Sequence, residues 1–245
     1  MNISLEQIDS IAFEQNVLKL LDIDDSVKYS EFEKNYISEY NPRYVYTKIK
    51  ADDISKIHYL ESNGFEFIEC QIELFKRITK LYDTSIFDES ITVEQVCNRQ
   101  DLDVIYKVSD SAFNNIDRIY VDEKIDNAIA KKRYHLYLKN SFEKSNQRLD
   151  KLVDNKLNKI IGFHSLLYKD ERSVLLLLGG ILPEYQSLGI NYALDFNIYN
   201  DLFKSGHKNI TTHISAKNIK VMNYLTKVLD FKFKSSCIVL RKVYG

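Results

Sequence analysis

The stretch that most constrains this chain is residues 173–191, S-V-L-L-L-L-G-G-I-L-P-E-Y-Q-S-L-G-I-N. Residues 174–178 form an unbroken apolar run, short enough for a strand buried on both faces. Gly179-Gly180 interrupts its end, where a bulge or a splayed strand is expected. Pro183-Glu184-Tyr185 closes the strand, and an amphipathic helix opens from Gln186, with Ile190, Leu194, Ile198 and Leu202 recurring every four residues. A helix start of this kind captures anions: its first backbone N–H groups lack partners, and the macrodipole adds partial positive charge. Gly189 lets a diphosphate approach the backbone, and Gln186 can add a side-chain donor. By itself Q-x-x-G also describes a bare turn before a core helix.

Composition sets the limits around that joint. The 245 residues are 44% hydrophobic, enough core for one large or two small domains. Lys+Arg 34 against Asp+Glu 35 leaves a net charge of -1, so no global basic field argues for nucleic acid or an anionic membrane. A phosphate must be caught locally. M-N-I-S-L-E-Q-I-D-S lacks the basic and apolar regions of a signal peptide, and no apolar run approaches a membrane span, so a cytoplasmic protein is expected. Cys70, Cys97 and Cys237 are widely spaced and the five His lack ligand spacing; neither a disulfide framework nor a metal site is expected.

Along the chain, residues 1–40 are mixed polar and aromatic and give no clear element. Residues 44–49 alternate like a strand, Asp52 or Asp53 caps a helix carrying Ile54, Ile57 and Leu60, Asn63-Gly64 stops it, and 65–75 is a second strand. This β-α-β unit is too small to bury much alone and is expected to dock on the C-terminal part of the chain, with a boundary near residue 85. Then come a strand at 91–96, a helix carrying Leu102, Ile105, Val108 and Ala112, a loop at 114–118 and a helical pattern over 124–144. Strand patterns at 149–153, 160–168 and 174–182 make an antiparallel meander. Beyond the 190s helix lie a strand at 210–214, a helix from Asn218 with Val221, Leu225 and Val228, and strand patterns at 231–233 and 238–243. No internal repeat is evident. Lys131-Lys132-Arg133 is the strongest positive run, and reads as a solvated helix face.

The run I-L-P-E-Y-Q-S-L-G-I-N-Y-A-L resembles the acyl-CoA pyrophosphate loop of the GCN5-related N-acetyltransferase (GNAT) superfamily, written [RQ]-x-x-G-x-[GA]. Gln186 and Gly189 match it, and Asn191 stands where the family usually has Gly or Ala. The element order β-α-α-β-β-β-α-β-α-β over residues 90–245 is likewise the GNAT order. T-K-I-K-A-D-D-I-S-K-I-H-Y-L, D-R-I-Y-V-D and R-Y-H-L-Y-L-K-N-S resemble the sugar-nucleotide N-acetyltransferases of the dTDP-fucosamine type, with Asp117 in place of that group's Ser. The resemblance implies an α/β (α+β) GNAT fold: a central mixed, mainly antiparallel sheet flanked by helices, with a small N-terminal module over 1–85 and an acyltransferase domain over 86–245.

The same resemblance implies acetyl-CoA or another acyl-CoA as co-substrate, no metal, and an acyl transfer to the amine of a nucleotide-linked amino sugar by direct attack. The donor would meet Gly180, Ile181, Leu182, Gln186, Ser187, Leu188, Gly189, Ile190, Asn191, Asn218 and Tyr224. Backbone groups around Gly179 are candidates to pair with the pantetheine arm and to polarise the thioester carbonyl. Tyr224, six residues after Asn218, matches the family's proton donor to the thiolate; a phenol stays protonated at neutral pH. Tyr224 also reads as a core tyrosine, and Asn218 as a helix cap. His164, the imidazole in a strand beside the cleft, is the candidate base for the amine, although a lone His in an apolar strand is more often structural. For the acceptor the candidates are Arg118 toward a diphosphate, with Tyr120, Tyr134, Tyr137 and Asn140 toward base or sugar. No nucleic-acid or membrane partner is expected, and a homodimer is compatible. Two rival readings stay open: a GNAT for another small-molecule or peptide amine, and a non-catalytic acyl-CoA-binding module.

Overall fold

The computed structural model describes the chain except residues 25, 27, 86, 88, 89, 114–117, 187 and 188. Its strands are β1 (Asn2–Leu5), β2 (Val17–Asp22), β3 (Tyr44–Lys50), β4 (Glu66–Arg77), β5 (Ile91–Gln95), β6 (Gln147–Asp154), β7 (Lys159–Tyr168), β8 (Ser173–Ile181), β9 (Asn209–Ser215) and β10 (Lys232–Val243). The helices are α1 (Gln7–Phe13), α2 (Tyr29–Tyr40), α3 (Ile54–Ser62), α4 (Arg99–Ala112), α5 (Asn127–Glu143), α6 (Ile190–Lys204) and α7 (Ile219–Asn223). A 3-10 turn, Pro183–Tyr185, precedes α6, and a π turn, Tyr224–Val228, prolongs α7.

All ten strands form one mixed sheet in the order β1-β2-β3-β10-β4-β9-β8-β7-β6-β5. The anticipated mainly antiparallel character holds, with parallel pairs only at β2/β3 and β8/β9 among the described strands. Register fixes two faces. Thr47, Ile49, Ile214 and Thr212 lie on one, under α2, α3, α6 and α7; Tyr44, Tyr46, Phe163 and Gly180 lie on the other, under α1, α4 and α5. Each face buries an apolar layer, with Phe163, Leu166, Val174, Ile198 and Ile210 at the centre of the larger core.

Residues 1–40, unassigned from sequence, hold β1, α1, β2 and α2. They therefore extend the β3-α3-β4 unit. The resulting segment β2-α2-β3-α3-β4 repeats as β8-α6-β9-α7-β10, which corrects the expectation of no internal repeat. Leu20 opposite Thr47 corresponds to Leu176 opposite Thr212. Lys50 opposite Cys237 corresponds to Ser215 opposite Gln71, so a two-fold axis runs through the β4/β10 pair, where Cys237 faces Gln71.

Side chains obey the same symmetry. Thr47 Oγ1 donates to Leu20 O at 2.9 Å and Thr212 Oγ1 to Leu176 O at 3.3 Å. Asp53 caps α3 by accepting from Lys56 N at 3.4 Å, as Asn218 caps α7 by accepting from Val221 N at 3.2 Å. Phe65 N donates to Leu60 O and Phe231 N to Leu225 O. The last strands are exchanged: β10 lies beside β3, and β4 beside β9. Each half is completed by the other's strand, which is how the small N-terminal unit docks.

Candidate functional site

β8 and β9 are hydrogen-bonded from Ser173 opposite Asn209 to Leu176 opposite Thr212, and there their ladder ends. Beyond it β8 pairs with β7 and β9 with β4. The divergence has a local cause. Leu177 and Leu178 together oppose the single residue Ser165, an extra residue in β8 that bends the strand. The Ser165 hydroxyl fills the break, accepting from Leu178 N at 3.1 Å and donating to Leu178 O at 3.3 Å. The anticipated irregularity therefore sits just before Gly179-Gly180, held by a serine that no sequence pattern marks.

The two glycines have separate steric tasks. A Cβ on Gly179 would lie 2.7 Å from His164 Cδ2, and one on Gly180 would lie 2.9 Å from Ala112 Cβ. Gly179 makes room for the imidazole, and Gly180 lets the end of α4 close on β8. His164 is half-buried with Nδ1 buried and without a hydrogen-bond partner. Burial lowers its pKa to about 4. At neutral pH it is an uncharged imidazole with little basicity, so its fitness as the general base is reduced.

The start of α6 lies past the end of β8. Gly189 is its N-cap at φ 75°, a left-handed conformation in which a side chain would be strained, and the helix has no side-chain cap. The described atoms near a Cβ placed there belong to the Tyr192 ring, 3.8 and 4.0 Å away. Gln186 ties this turn down: its Nε2 donates to Ile181 O at 3.0 Å, and its Oε1 accepts from Lys220 Nζ at 3.3 Å. Lys220, not singled out from sequence, adds a cation beside the first turn of α6. Ile181 and Leu182 are buried, Leu182 N donating to Ile161 O, whereas Gly180, Ile190 and Asn191 are half-buried. Ser187 and Leu188 lie outside the described residues.

Asn218 is spent as the α7 cap, and Tyr224 begins the π turn. The cap-to-Phe segment is one residue longer here than in α3, and the i→i+5 bond from Leu229 N to Tyr224 O absorbs it. The extra residue precedes Phe231, with Asp230 turned to φ 57°. The Tyr224 hydroxyl donates to Asp195 Oδ2 at 2.7 Å, and its ring meets Tyr192 edge-on at 5.8 Å. Burial, then the neighbouring Asp195 carboxylate, holds the phenol well above its ordinary pKa. Asp195 is buried on α6, and burial pushes its pKa up to about 7 despite the Tyr224 hydrogen bond. A lone acid on the apolar stripe with Ile198, Tyr199 and Leu202 was the sequence signal for it.

The acceptor candidates fall differently. Arg118 is 8% exposed, donates to Asp9 Oδ2 at 2.8 Å and lies 3.9 Å over the Tyr46 ring. It braces α1 against the sheet, and although its Nε has no partner, the buried guanidinium is closed to a diphosphate from solvent. Arg133, read as part of a solvated run, is also turned inward, Nε donating to Asp9 Oδ1 at 2.8 Å. Tyr137 donates to Asp9 at 3.2 Å, and Tyr134 is buried, stacked on Phe113 at 4.7 Å. Tyr120 and Asn140 are half-buried. Asp122, at the end of the D-R-I-Y-V-D segment, is bound by Arg241 through both oxygens at 2.6 and 2.8 Å. These residues form a brace between α1, α5 and β10; their ion partners lie more than a hundred residues away in sequence and were invisible in it.

No protein-family model and no curated protein matches the sequence. Solved structures do. A GCN5-related N-acetyltransferase from Sphaerobacter thermophilus superposes with a TM-score of 0.69 at 12% identity, covering 98% of this chain and 76% of that one. A tandem GNAT protein from the clavulanic acid biosynthesis pathway gives 0.61 at 8% identity, over 94% of this chain and 75% of that one. A fungal multi-domain protein described as carrying a GCN5-related glucosamine N-acetyltransferase region gives 0.63 at 12% identity, over 93% of this chain and 30% of that one. The chain has the GNAT fold. Among the described residues, no helix is long and apolar enough to cross a membrane.

Proposed function

We propose that the protein is a CoA-dependent N-acyltransferase. The observation that carries this reading is the parting of β8 from β9 after Leu176 and Thr212, next to a helix start capped only by Gly189. The free edge of β8 can take an extended amide-bearing arm as an added strand, and the first turn of α6 with Lys220 can take a diphosphate. Acyl-CoA has both parts, and it supplies an activated thioester. Tyr224, entering from α7, would face the departing sulfur with its phenol proton. Direct attack by an amine then needs no covalent enzyme intermediate.

For the acceptor we propose the amino group of a nucleotide-linked amino-dideoxy sugar, dTDP-linked first among those to test, in surface-polysaccharide synthesis in the cytoplasm. The resemblance over 47–74, 117–122 and 133–141 supports it, as does the glucosamine N-acetyltransferase description of one structural neighbour. Arg118 is not the diphosphate ligand in this reading, because Asp9 already holds it. Acetyl is the first acyl group to try, and 3-hydroxybutyryl the second. The test is thiol release from both acyl-CoAs across dTDP- and UDP-amino sugars, polyamines and peptide amines. Turnover confined to amino-sugar nucleotides is the expected result; turnover only with polyamines or peptides overturns the acceptor, and tight CoA binding with no release by any amine overturns the enzyme.

A further inference from the structure

Asp195 is a buried acid in α6 whose described side-chain partner is the Tyr224 hydroxyl at 2.7 Å. A buried carboxylate normally sits against a cation or several backbone N–H groups. Here the facing groups are phenols. Tyr224 comes from the π turn, and Tyr199 from α6 itself, its hydroxyl buried without a partner; Tyr192 adjoins Tyr224, and Tyr82 meets Tyr199 at 5.9 Å. Lys76 of β4, the cation in this layer, donates instead to Leu229 O at 2.6 Å.

The internal repeat sharpens the anomaly. Tyr29 of α2 meets Tyr59 of α3 edge-on at 6.4 Å, as Tyr192 of α6 meets Tyr224. Counting along the helices from those two tyrosines brings Tyr36 to the place of Tyr199, and Phe32 to the place of Asp195. Both copies part their parallel strands at matching places, β2 from β3 after Leu20 and Thr47 and β8 from β9 after Leu176 and Thr212. The N-terminal copy packs the helix position facing its tyrosine pair with an aromatic ring, whereas the C-terminal copy puts an acid there and binds it to Tyr224.

We propose that Asp195 is the positioning acid that resupplies Tyr224 with a proton during acyl transfer. The inference rests on the acyltransferase reading. As the amine nitrogen bonds to the acyl carbon and the carbon–sulfur bond breaks, Tyr224 gives its phenol proton to the departing sulfur. The protonated carboxyl of Asp195 returns a proton to the Tyr224 oxygen. The carboxylate regains one from water, and the nitrogen releases one to water, so protons balance. A phenol held against an ionised carboxylate is a reluctant donor, whereas one backed by a neutral carboxyl keeps its proton supply. With Asp195 titrating at about 7, the competent form is lost as pH rises through that value.

Asp195→Asn tests this, since it preserves shape and a hydrogen bond to Tyr224 but cannot donate as an acid. At pH 6.5 we expect kcat to fall by about tenfold to a hundredfold with KM for acyl-CoA unchanged, and the falling limb near pH 7 to vanish. The Asp195→Asn, Tyr224→Phe double variant should lose no more than Tyr224→Phe alone. In the free protein, infrared titration should show a carboxyl C=O band that disappears as pH rises through about 7 and is missing in Asp195→Asn. Unchanged kcat and pH profile in Asp195→Asn, equal loss of kcat and donor affinity, or no such band, overturns the proton role of Asp195 alone. No thiol release by the wild type with any amine sinks both it and the acyltransferase reading.

Discussion

The two halves of the sheet share a plan and differ at one buried acid, Asp195, which meets a phenol where the buried acids of the N-terminal side meet guanidinium groups. Against the N-terminal half, buried acids are matched by guanidinium groups, Asp9 by Arg118 and Arg133 and Asp122 by Arg241, while the Tyr44 hydroxyl and Arg118 Nε are buried without a partner. Beneath α6, Asp150 is matched by Arg148, but among the described residues the Asp195 side chain meets a phenol and no cation, and the Tyr199 hydroxyl and His164 Nδ1 have no partner. Matched buried charge fixes a scaffold, while unmatched buried groups are costly and persist where they act on a ligand. The brace is built by α1, α5 and the 118–122 segment, which lie outside the repeated unit, together with Arg241 of β10, whereas the candidate site is built by the second copy of that unit itself. Among the differences in sequence between the two copies are Phe32 against Asp195 and one inserted residue after Tyr224.

The largest effect expected is on the brace. Asp9→Asn leaves two buried guanidinium groups without their counter-charge, and removing one partner of such a pair costs about 3–5 kcal/mol. Burial alone would raise the Asp9 pKa, but Arg133 and Arg118 outweigh it and hold it below the ordinary value. The stabilisation is therefore present above the unfolded carboxylate pKa and is lost as pH falls through the lower, folded one. Thermal melts from pH 7 down to pH 3 should show wild type losing stability into acid and Asp9→Asn starting low with a flatter profile. A melt for Asp9→Asn within a degree of wild type at pH 7 would mean that the cluster is not the clamp between α1 and α5.

Next comes the pair of equivalent tyrosines. Tyr224→Phe should lower kcat by about a hundredfold while leaving acyl-CoA affinity within about twofold, because it removes a proton and no packing. Tyr59→Phe, at the matching place in α3, should leave turnover unchanged. Equal effects at the two positions would erase the functional distinction between the halves. Equal loss of kcat and donor affinity at Tyr224 would make it a packing residue.

At the strand break, Gly179→Ala places a methyl 2.7 Å from His164 Cδ2, so the half-buried imidazole must shift to make room. Such overpacking costs about 1–3 kcal/mol, read as a drop in melting temperature, and Gly179→Ala combined with His164→Ala should recover most of it. Failure of the second substitution to rescue would show that the glycine answers to backbone shape and not to the imidazole.

These contrasts also explain what was legible in the sequence. Over residues 90–245 the period of apolar residues changes cleanly between strand and helix, so element order and the Gly189 turn could be read. The first forty residues failed because α1 has seven residues and α2 buries only Tyr29 and Tyr36 among those described, too few to set a period. The repeat failed because it survives at scattered positions such as Thr47 and Thr212, Ile49 and Ile214, or Tyr59 and Tyr224. Strand exchange is invisible in principle: β4 and β10 are both twelve residues long, and nothing local says which neighbour each takes. Arg118 looked like a ligand residue because its partner lies 109 positions upstream.

The smallest effect tests the symmetry itself. Thr47 and Thr212 bridge the parallel strands at matching places, each hydroxyl donating to the carbonyl where pairing is about to end. Valine has nearly the same shape but leaves that carbonyl with one donor fewer, so each Thr→Val change should cost about 1 kcal/mol, the N-terminal one slightly more because its bond is shorter and its site drier. Both residues are buried, Thr47 at 0% and Thr212 at 5% exposed, so solvent cannot replace the hydroxyl freely. The halves should part on function even here: Thr212→Val sits where β8 leaves β9 and should weaken acyl-CoA binding severalfold, whereas Thr47→Val should leave binding alone. Denaturant melts of the two single variants, alongside calorimetric binding of acyl-CoA, separate a shared structural role from a site that only one copy keeps.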